Sequence, residues 1–303
     1  MKPNKQSLLN FEKQRTIIGV LFLCPVVLLC VIFIVIPVIN VLHYSFYKWN
    51  GISADMQFVG LQNYALLPST EGFATMFIWT LVYAAGVTLF TVTISFFAAL
   101  ALDQKDKPAI NRPFLRVLWF LPCLLSPAVI GILWNIMYNY NSGVINTILK
   151  QLGMQPINWL ETYGVTHGAI IIATVWSLTG LCIVIFLAGL QNIPKQLFEA
   201  ASIDGATNIH KLCYIVIPMI APATTLNVLT TSITAFKMYE LPLTISQGLP
   251  GFSTRLLTQR IYFFGFFVRE YGIGAALSVI LTVIITCISF AEFFYLRKRE
   301  EIF

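Results

Sequence analysis

Long apolar runs alternate along the chain with short polar stretches. Six runs contain no Asp, Glu, Lys or Arg: 16–47, 72–102, 117–149, 162–194, 212–236 and 271–291. Each has room for the roughly 20 apolar residues that a helix needs to cross the hydrocarbon of a bilayer. A water-soluble helical core would show a polar face on most of its helices, and these runs show little of one. The pattern predicts an all-α integral membrane protein of six transmembrane helices, near 16–42, 73–102, 114–138, 168–190, 212–236 and 271–295. A polar stretch, 191–211, reads QNIPKQLFEAASIDGATNIHK between the fourth and fifth of them. A short helix is expected there. Pro194 suits a first helical position, Gly205 a left-handed stop, and Thr207 or Asn208 the cap of the helix that follows.

Composition and charge sharpen this. Charged residues make up 11% of the 303 residues and hydrophobic ones 57%, whereas soluble domains carry about 25% charged residues. The net charge of +6 does not form the stripe that nucleic acid would need, and no nucleic-acid partner is expected. The basic residues sort by loop instead. Segments 1–15, 103–116, 191–211 and 297–303 hold 13 Lys and Arg, against 6 in segments 43–73, 139–166 and 237–270. By the positive-inside rule both termini are cytoplasmic. The chain divides into a tail 1–15, a transmembrane domain 16–296 containing the loop 191–211, and a basic tail 297–303. The first run is too long for a cleaved signal and lacks a small-residue cleavage site, so it is expected to stay attached.

Several chemistries find no residues. The six cysteines lie in or beside the apolar runs, as small hydrophobes do, and no Cys/His cluster offers a metal site. No GxxxxGK[ST] phosphate loop occurs, so ATP binding by that route is not expected. No Ser/His/Asp or Cys/His set can be nominated, and Glu199 and Asp204 need not share a helical face. The expectation is a non-enzyme that binds no cofactor itself. Polar positions inside the fifth run are more informative. Asn227, Thr231 and Thr234 follow i, i+4, i+7 and should look toward another helix or a wet cavity. Ser177 lies midway in the fourth run, and Lys237, Tyr239 and Glu240 lie just past the fifth.

Three segments of the chain resemble a known family. Glu199-Ala200-Ala201, Asp204-Gly205-Ala206 and Ile215-x-Ile217-Pro218 resemble the signature loop of permease subunits in binding-protein-dependent ABC importers, with Ile217 in place of the usual Leu. Val59-Gly60-Leu61-x-Asn63-Tyr64 resembles the segment after the first span in carbohydrate-type permeases, such as the larger maltose-system subunit. Phe236 to Thr244, followed by Gln247-Gly248-Leu249-Pro250, resembles a family element in which the fifth span breaks and an irregular segment returns outward. The turn departs from the family's paired glycines, and an ordinary extracellular loop is the alternative.

The resemblance implies a division of labour. The signature helix would lie in a groove of a separate cytoplasmic ATPase that carries ATP and Mg. Glu199, Ala200, Ala201, Asp204 and Gly205 would then be the coupling residues. The alanines allow close approach, Glu199 offers a carboxylate to a basic partner, and Gly205 supplies the turn. Ser177, Asn227, Thr231, Thr234, Lys237, Tyr239 and Glu240 are the candidates for lining a sugar pathway. Lys237 and Glu240 either meet substrate or pair with each other. The partners implied are a second similar permease, two ATPase copies, an extracytoplasmic sugar-binding protein and membrane lipid, in a bacterial or archaeal cell membrane. A permease for a non-sugar solute, or a secondary transporter needing no ATPase, is the alternative reading.

Overall fold

The computed structural model describes residues 5–103, 117–248 and 253–300. Among the described residues, four helices are long and apolar enough to cross a membrane: Gln14–Tyr44, Phe73–Asp103, Val165–Gln191 and Tyr271–Lys298. Two bent pairs bring the number to six if each pair is one span. Val117–Leu124 meets Pro127–Met137 at 110°, and Asn208–Met219 meets Ala221–Lys237 at 63°. The first bend is far sharper than a continuous 114–138 helix would allow. Pro127 at its turn cannot donate to the preceding residues, and Ser126 caps the new helix by accepting from Val129 N.

Prolines also explain two irregular helical turns. Wide i→i+5 turns occupy Val31–Val35 and Leu212–Val216, each ending two residues before a proline, Pro37 and Pro218. A helical proline leaves a carbonyl one turn back without its N–H, and the widened turn gives the neighbouring carbonyls other donors. Ile36 N thus bonds Val31 O, and Ile217 N bonds Leu212 O.

Helices Phe73–Asp103, Val165–Gln191 and Ala221–Lys237 form the body. One apolar cluster, with Trp79, Tyr83, Ile170, Ala173 and Phe236, fills the end nearer residue 73. A second, with Ala99, Phe186, Leu190, Val216 and Ile220, fills the end nearer residue 191. Apolar contact with lipid costs these helices nothing, so small residues and interhelical hydrogen bonds set their pairing. Tyr83 Oη and Thr174 Oγ1 lie 3.0 Å apart, Ser95 Oγ donates to Thr179 O at 3.1 Å, and Gly189 faces Ala223 across a close approach. The N-terminal helix stands apart. None of the residues in its most apolar 18-residue window is buried. Its packing on the body lies near residue 44, where Tyr44 and Trp49 pack on Tyr271. A two-stranded antiparallel hairpin follows, pairing Tyr47 with Phe58 and Lys48 with Gln57.

The segment after Lys237 is not an exposed loop. Short helices Glu240–Ser246 and Leu257–Tyr262 bury Leu241, Ile245, Leu256 and Leu257 in the first cluster. Gln247 and Gly248 turn the chain in left-handed conformations, with φ of 52° and 88°. Asn135 Nδ2 donates to Ile245 O at 2.7 Å, Trp79 Nε1 to Thr254 O at 3.0 Å, and Leu257 N to Thr80 Oγ1 at 3.0 Å. The Leu249 and Pro250 part of the expected turn lies outside the described residues.

Candidate functional site

The polar stretch 191–211 forms a helix, Lys195–Ile203, none of whose residues is buried. Pro194 is its N-cap rather than its first helical residue, with extended backbone (ψ 131°). The C-terminal end closes by two bonds, Ala206 N to Ala201 O at 2.8 Å and Gly205 N to Ser202 O at 3.2 Å. This is the paired closure that requires a left-handed residue at Gly205, where φ is +75°. A Cβ there would meet no atom within 4 Å, so the backbone conformation alone asks for glycine. Thr207 caps the next helix through His210 N, and Thr207 Oγ1 and His210 Nδ1 lie 2.7 Å apart. Lys211 Nζ donates to Ser202 Oγ at 2.8 Å and ties the two helices together.

Phe198 of this helix packs against the second apolar cluster. Glu199, Ala200, Asp204 and Gly205 are exposed and Ala201 is half-buried. Ala201, Asp204 and Gly205 border a hollow of about 410 Å³ shared with His210, Lys211, Tyr214 and Ile215. Sequence reasoning passed over the apolar residues here. Ile203 is 86% exposed and Ile209 73% exposed, beside an exposed Tyr214. Apolar side chains in a polar loop were the signal, and together with the alanines they form an exposed apolar patch.

The chain matches the family model described as binding-protein-dependent transport system inner membrane component over residues 92–299. It belongs to this family. The permease is 31% identical over 281 residues to the probable starch degradation products transport permease AmyD of Thermoanaerobacterium thermosulfurigenes, covering 92% of this chain and 94% of the relative. It is 30% identical over 289 residues to the trehalose/maltose transport permease MalF of Thermococcus litoralis, covering 94% and 95%. Among solved structures it resembles a chain of a bacterial alginate ABC transporter in complex with an alginate pentasaccharide-bound periplasmic protein. That likeness has a TM-score of 0.84 at 20% identity, covering 95% of this chain and 97% of that one.

The permease does not gather all of its candidate pathway residues on one surface. Ser177 is buried and donates to Thr174 O at 2.7 Å. Asn227 and Thr231 are buried against the same helix: Asn227 Nδ2 donates to Cys182 O at 3.2 Å, and Thr231 Oγ1 lies 3.3 Å from Cys182 Sγ. Asn227 Oδ1 has no partner. Thr234, Lys237 and Glu240 are exposed, and Tyr239 is half-buried beside Tyr262. Lys237 and Glu240 form no ion pair with each other among the described residues. Burial, together with Tyr262 and Glu240, pushes the Tyr239 phenol up, which keeps it a hydrogen-bond donor. Thr230 and Thr234 are neighbours on the exposed row that ends at Lys237, each with its hydroxyl turned back to the preceding turn.

Proposed function

We propose that the permease forms half of the translocation pathway of an ABC importer for a sugar, with ATP hydrolysis on a separate subunit. The observation that carries this reading is the helix Lys195–Ile203, closed by Gly205 and held out from the body with Glu199 and Ala200 uncovered. A fold that leaves a helix so placed has a surface to offer a partner. The names of the relatives, for starch products and for trehalose and maltose, support a saccharide.

In this reading each bent pair is one span, which makes six, and the loop and both termini are cytoplasmic. Two ATPase copies receive the helices of this chain and of a second permease. Closure of the ATPases on ATP pushes on Glu199 and its neighbours. Phe198 passes the push to Ile215, Val216 and the ends of the long helices as a rigid-body movement. At the opposite end of the long helices, a cleft of about 590 Å³ bordered by Trp49, Asp55, Gln57, Arg269 and Glu270 supports the docking of a substrate-loaded binding protein. Substrate passes Thr234, Lys237, Tyr239 and Glu240, with Ser177, Asn227 and Thr231 holding their supporting helices.

The test is stimulation of ATPase activity in the reconstituted complex by substrate-loaded binding protein, with and without Glu199→Ala. Lost stimulation in an assembled complex is the expected result. Normal stimulation of the variant, or failure of any ATPase to assemble with this chain, would overturn the reading.

A further inference from the structure

A cavity of about 480 Å³ opens among helices Phe73–Asp103, Ala221–Lys237 and Tyr271–Glu300, away from the residues assigned to coupling or transport. Its walls are largely apolar, with Leu81, Leu89, Phe236 and Ile288. Four polar residues break them, Thr88, Thr93, Ser232 and Glu292, and the last two carry buried atoms without a partner. Ser232 is 2% exposed and its Oγ has no hydrogen-bond partner; Glu292 is half-buried, and its Oε2 has no partner either. The two side chains are neighbours, yet their geometry falls short of a hydrogen bond. An ionised carboxylate among apolar residues is costly unless an opposite charge meets it, and without one the group takes up a proton and becomes neutral. No Lys, Arg or His among the described residues borders the cavity, so an ionised Glu292 has its counter-charge to gain from a bound group.

The chemistry of that counter-charge follows from what is unsatisfied. Both orphaned atoms can accept, so the occupant brings N–H or O–H donors and a positive charge. A metal cation of the hard type takes about six or more oxygen ligands, and the unpartnered oxygens here are two. A quaternary ammonium has no N–H and would leave Ser232 unmet. A primary ammonium has three N–H donors, enough for both oxygens, and an alkyl chain on it suits the apolar walls. We propose that this cavity binds a primary ammonium group carried on an apolar chain, with Glu292 as counter-charge and Ser232 as second acceptor. The occupant joins three helices, one of which leads through the bend at Ile220 to the loop 191–211.

Two sources carry this chemistry, the headgroup of an aminophospholipid and a free amphiphilic amine. Thermal unfolding of the purified full-length chain in neutral detergent is measured against octylamine, octanol and octyltrimethylammonium. The expected result is a midpoint that rises by several degrees with octylamine alone, a rise abolished by Glu292→Gln and reduced by Ser232→Ala. Leu89→Trp, which fills the cavity, abolishes it as well and keeps the test open if Glu292→Gln does not fold. Native mass spectrometry of the chain from mixed phosphatidylethanolamine and phosphatidylcholine micelles then separates the sources. Selective retention of phosphatidylethanolamine, lost in the variants, assigns the lipid, and an octylamine response without retention assigns a free amine. Equal response to octanol, or an undiminished response in Glu292→Gln, Ser232→Ala and Leu89→Trp, overturns the proposal.

Discussion

Thr231 and Thr234 lie three residues apart on one helix and have different surroundings. Ideal helical spacing puts 227, 231 and 234 on one face, but the contact with helix Val165–Gln191 runs along the i+4 row Asn227, Thr231, Ala235, all buried. Helices that cross at an angle pack along such rows, and Thr230, Thr234 and Lys237 are left on an open one. Sequence spacing finds a polar face; which row the neighbour covers depends on a crossing angle that no local pattern encodes. Thr231→Leu is therefore expected to overfill a packed contact and lower stability by about 1–3 kcal/mol, visible as a lower unfolding midpoint. Thr234→Leu should leave that midpoint unchanged and reduce uptake. The opposite pattern would exchange their roles. Gly205 allows a cleaner experiment, since alanine there meets no atom and bears only the left-handed backbone cost of about 1–2 kcal/mol. Gly205→Ala should weaken stimulated ATPase activity several-fold in an assembled complex. Gly205→Asn, which tolerates that conformation, should retain most of it.

Among the elements, the return segment Glu240–Ser246 is closely packed. It packs on Pro127–Met137 at Gly131, where a Cβ would overlap Thr244 Oγ1 and approach Leu241 O at 3.0 Å. Gly131→Ala is expected to lower the unfolding midpoint. Thr244→Ala in the same chain should restore part of the loss, because the obstructing hydroxyl bonds only to carbonyls of its own helix, Glu240 O and Leu241 O. No restoration would mean that the strain lies in the backbone. The order and approximate reach of the apolar helices were legible because hydropathy averages over some 20 positions, and the cap Thr207 and stop Gly205 were legible because each answers a local backbone need. The bends were not. A proline marks where a helix can break, while the 110° between the halves of the third apolar element comes from tertiary packing. Tyr138 shows the same limit: its ring fits an interfacial belt by composition, yet it is buried, and its hydroxyl donates to Ala169 O at 3.0 Å. The helix Val144–Gln151 was hidden because no charge before Lys150 interrupts that apolar run.

At the scale of the whole molecule, the exposed apolar residues around the polar loop form a surface that this chain alone leaves uncovered. Ile203→Asp should abolish co-purification of the ATPase while leaving the far-ultraviolet circular dichroism of the chain unchanged, and retained ATPase would remove Ile203 from the contact. The N-terminal helix has a different consequence. Its side chains touch little of the body, so they act through transfer into the bilayer, where apolar residues contribute about 0.3 to 0.6 kcal/mol each. Transfer adds over residues and is indifferent to their sequence. Shuffling residues 17–36 at fixed composition should leave both membrane insertion and the unfolding midpoint of the isolated chain where they were, whereas the same shuffle within Val165–Gln191 should unfold it. For this first helix the message is written in the inventory of letters and not in their spelling.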